Sequence, residues 1–117
     1  MNIDHEIFFK MLADRTRMRA LMLMQSEDEL CVCELTHAMK LSQPKISRHL
    51  AQLREAGLVR ARREGLWMHY QINPALPDWA LAILQNALTG SERDKTFRQD
   101  HNRLCGMQDR PGTTCCA

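Results

Sequence analysis

Two thiols separated by one residue, Cys31 and Cys33 in the run ELCVCEL, are the part of the chain best equipped for chemistry. Thiolates select soft, thiophilic ions, and they are also the groups that oxidise and exchange. Three more cysteines lie far along the chain, Cys105 and the adjacent pair Cys115 and Cys116. An odd number in clusters suits reduced thiols used for metal or redox chemistry better than a disulfide framework. Spacing limits how the first pair can act together. Residues two apart in an α-helix point about 200° away from each other, whereas in extended backbone they share a side. One ion held by both sulfurs therefore requires a non-helical start to the segment. A thiol at a helix N-terminus is also expected to have a lowered pKa.

The next stretch carries a different chemistry. In SQPKISRHLAQLREAG a helix is expected, with Ser42 as its cap, Pro44 in the first turn and Gly57 as its stop. Ile46, Leu50 and Leu53 fall at the i, i+4, i+7 spacing of a buried stripe. Lys45, Ser47, Arg48 and Gln52, flanked by Gln43 and His49, fill the other side. These side chains donate to phosphates and base edges, and a rod of about 18 Å at ~1.5 Å per residue fits a major groove.

The flanking elements needed to position such a rod can be read on both sides. Glu34 to Met39 has short apolar periodicity and connects through Lys40-Leu41, the link of a helix-turn-helix. LVRARREGLWMHYQI alternates around Glu64-Gly65 and reads as a hairpin. The expected fold is thus mainly α with a small β-hairpin, a winged helix-turn-helix. Six Lys or Arg against two Glu between residues 42 and 65 give a local +4, where the whole chain is +2. Positive charge is concentrated where double-stranded DNA would lie, with Arg60, Arg62 and Arg63 of the hairpin on backbone phosphate.

A chain of 117 residues, 44% of them hydrophobic, makes one small domain. Ile3, Ile7, Phe8, Met11 and Leu12 recur at helical spacing, Asp14 can cap a second helix to about Gln25, and Glu27-Asp28-Glu29 reads as a solvated loop. Met11, Met18, Met22 and Met24 read as core filler. Asn73-Pro74 ends the hairpin, and Pro77-Asp78 opens a helix to about Leu88 whose apolar face, with Trp79, Ile83 and Leu84, is expected to pair with a second copy and the first helix. Residues 1–90 then form a DNA-binding and dimerisation domain, and 91–117 a flexible cysteine-containing tail. No leader-like segment or long apolar run is present, so a soluble cytoplasmic protein without a membrane partner is the expectation. The absence of a C-x-x-C, a phosphate-cradling glycine loop or a carboxylate constellation argues against an enzyme.

ELCVCEL, then SQPKISRHLAQLREAGLV, then the hairpin pattern R-x-x-G-x-W-x-x-Y-x-I together resemble the ArsR/SmtB family of winged-helix metal-sensing repressors, specifically its arsenic-responsive branch, over about residues 5 to 88. The resemblance implies a homodimeric repressor of an arsenic-resistance operon that needs no cofactor and leaves its operator when trivalent arsenic or antimony binds the cysteines. The family's zinc sensors carry His and Asp on the last helix, and Trp79 to Leu88 contains no histidine. One departure matters. The family commonly has a third cysteine three residues after the second, and here that position is Thr36, whose hydroxyl is a poor ligand for a thiophilic ion. Trivalent arsenic prefers three thiolates, which leaves Cys115, Cys116 or Cys105, or a small exogenous thiol or hydroxide, to complete the site. A thiol-redox repressor, or one answering to cadmium or lead on the same fold, is the alternative, and a protein-binding winged helix is a third reading.

Overall fold

The structure is a computed structural model and describes residues 2–107. Each early helix is started by an aspartate. Asp4 accepts from the amides of Glu6 and Ile7 to open α1 (His5–Leu12), and Asp14 accepts from the Arg17 amide at 3.0 Å to open α2 (Arg15–Glu27). Such caps satisfy amides that the first turn leaves without partners. Ala20, Leu21, Met22, Leu23 and Met24 are all buried, so the middle of α2 is enclosed on every side and forms the axis of the core. Met11 and Met18 pack against that core from its edge, as expected of filler.

A left-handed Asp28 (φ 73) turns the chain sharply out of α2 into β1 (Glu29–Cys31). Then come α3 (Val32–Met39) and α4 (Gln43–Glu55), joined through Lys40 with φ 53, a helix-turn-helix as the spacing predicts. Ser42 caps α4, and Ile46, Leu50 and Leu53 are its buried stripe. The hairpin is β2 (Val59–Glu64) and β3 (Trp67–Ile72), turning at Gly65, whose φ of 62 suits a residue without a Cβ.

Three features depart from the sequence reading. The sheet has three antiparallel strands in the order β1-β3-β2, because β1 pairs along β3 with Leu30 opposite Tyr70 and Cys31 opposite His69. The acidic loop is therefore partly a strand, and it was hidden because three residues are too few to show alternation. The helix after the hairpin, α5 (Asp78–Ser91), buries Ala80 and Leu84 in the chain's own core, so much of the face expected for a partner is used internally. What stays exposed at that edge is Trp79, with Ile7 and Phe9 of α1, the ring of Phe8 lying edge-on between Phe9 and Trp79.

The third departure is α6 (Lys95–Cys105), within the stretch expected to be tail. Asp94 caps it, and Leu104 and Asp100 are fully buried. Asp100 accepts from Arg19 Nε and Nη2 and from Arg103 Nη2, each at 2.8 Å. The two guanidiniums in turn donate to the last carbonyls of α3, Arg19 to Met39 (2.8 Å) and Arg103 to Ala38 (2.7 Å). Carbonyls that α3 cannot satisfy internally are thereby paired, and α6 is bolted to the helix that precedes the turn into α4.

Candidate thiol site and nucleic-acid interface

Cys31 is both the last residue of β1 and the N-cap of α3, in extended conformation (φ −89, ψ 164). It occupies the place a serine or threonine usually takes in a capping box. Its amide donates to Glu34 Oε1 at 2.9 Å, and the Glu34 amide points back at its sulfur. Because the helix begins only at Val32, Cys31 and Cys33 are not both helical, and the Cys33 thiol is near enough to help raise the pKa of Cys31. The non-helical start that a shared ion demands is already built into the strand-to-helix junction, so ligation has no helical turn to unwind.

The lowered pKa expected of the thiols is not found at Cys31. Its thiol is pushed up to about 12, chiefly by burial and then by the neighbouring Cys33 thiol, against which the Glu34 amide works only in part. Cys31 is 1% exposed, while Cys33 is half-buried. A neutral thiol is favoured in the fold, so this group's contribution to stability is present below pH ~9 and is lost as the pH climbs toward 12.

These sulfurs open onto a cleft of about 640 Å³. Its floor is the start of α3, with Val32, Thr36 and His37; one wall is Gln43 at the start of α4, and the other is the hairpin tip, Leu66, Trp67 and Met68. Thr36 donates its hydroxyl to the Val32 carbonyl at 2.8 Å, which leaves it engaged within its own helix. Cys105 sits at the end of α6 with its sulfur 3.9 Å from His101 Nδ1 and is disulfide-bonded, not the reduced thiol expected from its place in the chain, while Cys115 and Cys116 lie outside the described residues. Among the described residues no group of three or more His, Cys, Asp or Glu is placed to hold a metal ion.

On α4 the residues expected to face DNA divide into two groups. Gln43 and Arg48 are exposed, Lys45 and Ser47 are partly so, and Gln43 Nε2 donates to Ser47 Oγ at 2.6 Å, which orients both on the helix's leading turn. His49 instead turns inward: its side chain is 12% exposed, with Nδ1 3.9 Å from Asp14. Gln52, though exposed, accepts from Arg17 of α2 at 3.0 Å. Both belong to the seam between α4 and α2 rather than to the open face.

The wing, β2 with β3, divides likewise. Arg60 and Arg63 are exposed, and Arg63 donates to the Gly65 carbonyl. Arg62 is held by acids: Glu29 of β1 accepts from its Nε (2.9 Å) and Nη2 (2.7 Å), and Glu64 accepts from its Nη1 (2.8 Å). Those bonds lower the Glu29 pKa and raise that of Arg62. Glu29 is not legible as a site residue in the sequence, since its partner Arg62 lies 33 positions away and the two meet only because β1 and β2 flank β3.

Set beside known proteins, the chain matches the family described as "Bacterial regulatory protein, arsR family" over residues 14–61. It is 51% identical over 105 residues to the arsenic resistance transcriptional regulator ArsR1 of Pseudomonas putida, covering 90% of this chain and 80% of that one. It is also 52% identical over 79 residues to the arsenical resistance operon repressor of Escherichia coli, covering 68% of each. Among solved structures, the AntR antimony-specific transcriptional repressor superposes with a TM-score of 0.64 at 31% identity, over 75% of this chain and 77% of that one. A strand-to-helix pair of thiols beside a winged helix-turn-helix, together with relatives this similar over most of their length, places the chain in the arsR family of bacterial regulatory proteins.

Proposed function

We propose that the chain is a homodimeric repressor of an arsenic-resistance operon, with α4 in the major groove and the wing along the backbone, and that trivalent arsenic or antimony bound at Cys31 and Cys33 lifts it from the operator. The observation that carries this reading is the shared cleft: the two thiols form one boundary of a space bounded on its other sides by Gln43 of α4 and by the wing tip. A metalloid seated there presses on both DNA-facing elements at once. Gln43, Lys45, Ser47 and Arg48 contact the groove, and Arg60 and Arg63 the phosphates. The exposed Ile7, Phe9 and Trp79 belong to the dimer seam, and two α4 helices so paired enter successive grooves about 34 Å apart.

The protonation state of Cys31 favours a metalloid over a soft divalent cation. Arsenous acid carries its own hydroxyls, so each thiol that condenses with it loses its proton as water: As(OH)3 and two thiols give a dithiolate As–OH and two waters. Cadmium or lead must instead expel those protons into solvent, against a thiol held up at about 12. Arsenite affinity is therefore expected to be nearly flat between about pH 6.5 and 8.5, whereas cadmium affinity rises at least about tenfold per pH unit. Calorimetry across that range checks both.

The test of the whole reading is fluorescence anisotropy of a labelled duplex taken from upstream of the chain's own gene. Binding should be tight, should weaken steeply with salt, and should be reversed by micromolar arsenite. Salt-independent binding, or a complex indifferent to arsenite, would contradict it.

A further inference from the structure

Arg62 lies on the wing, where a cation would meet phosphate, yet three of its nitrogens are spent on Glu29 and Glu64. Glu29 and Cys31 are the two ends of the same three-residue strand, and alternate residues of a strand share a side. In the sheet's register Cys31 stands opposite His69, and His69 opposite Arg62. His69 is nearly buried beneath the acids, its ring nitrogens 4.0 Å from Glu29 Oε1 and 3.9 Å from Glu64 Oε2. The effector thiol and the wing arginine are thus joined through one short strand and one bidentate ion pair.

We propose that Glu29 and Arg62 form a charge latch: in the DNA-free protein Glu29 withholds the Arg62 guanidinium from phosphate, operator binding transfers it to the backbone, and ligation at Cys31 fixes β1 in the position that keeps the latch closed. This rests on the effector site proposed above. Two discrete partners for one guanidinium supply the two-state element that coupling between separate sites requires. The ion pair itself is half-exposed and contributes little to stability, so breaking it does not threaten the fold.

The test is a double-mutant cycle with Glu29→Gln and Arg62→Met, read as operator affinity against salt, with and without arsenite. Glu29→Gln is expected to bind the duplex about three- to tenfold more tightly, to steepen the salt slope by about one, and to be released by arsenite at least about threefold less effectively. In the Arg62→Met background the same substitution should change none of these. An unchanged slope or release ratio in Glu29→Gln overturns the latch. So does a gain that persists without Arg62, because that is only the loss of an acidic charge near DNA. If the wild type is not released by arsenite at all, the effector site is at fault and not the latch.

Discussion

With serine at both Cys31 and Cys33, the operator complex is expected to form normally and to need at least about a hundredfold more arsenite for half-release, a loss of roughly 2.7 kcal/mol in arsenite binding. The substitution is mild for the fold, which makes the loss attributable to ligation. Residue 31 is the N-cap of α3, where a hydroxyl is the preferred acceptor for the N3 amide, and Glu34 would keep its bond to the residue 31 amide. Residue 33 is half-buried in the first turn and fills no deep part of the core. Melting temperatures within a few degrees of wild type, together with anisotropy titrations, would separate a lost ligand from a lost fold.

Asp100→Ala is expected to lower stability by about 3 kcal/mol, near the lower end for breaking a buried ion pair because both arginines retain some water. Asp100 itself is fully buried between Arg19 and Arg103. Its removal leaves the two guanidiniums at the end of α3 without their shared carboxylate. At about 4 °C per kcal/mol for a domain of this size, the melting temperature should fall by roughly 12 °C. Thermal denaturation followed at 222 nm reads it. Because these arginines also hold the last carbonyls of α3, the same variant should bind its operator more weakly at temperatures where it is still folded.

How much of this was legible in the chain depended on the reach of each interaction. α4 could be read whole, since its cap, its proline and its buried stripe lie within thirteen residues of each other. The hairpin announced itself by alternation around one glycine. The Cys31 and Cys33 pair was visible as chemistry, and the need for a non-helical start followed from geometry alone. That Cys31 is the cap itself, buried and neutral, depended on β1, a strand too short to leave a pattern. α6 was hidden because its inward face is built around Asp100, so its composition reads as tail, and the compensating Arg19 lies 81 residues away. Charge and position alone make His49 look like a DNA contact and Arg62 a free one; Asp14 and Glu29, which lie against them, come from other elements.

The claim that everything else serves is that Cys31 and Cys33 by themselves grip the metalloid at a junction already shaped for it. Arsenic K-edge absorption on an operator-releasing sample of the Cys105→Ser, Cys115→Ser, Cys116→Ser triple variant tests it directly, since Cys31 and Cys33 are then the only cysteines left. Two sulfur neighbours at arsenic, with release preserved, is the predicted result. An arsenic shell of oxygen alone, or release that disappears with the three distal cysteines, would contradict it.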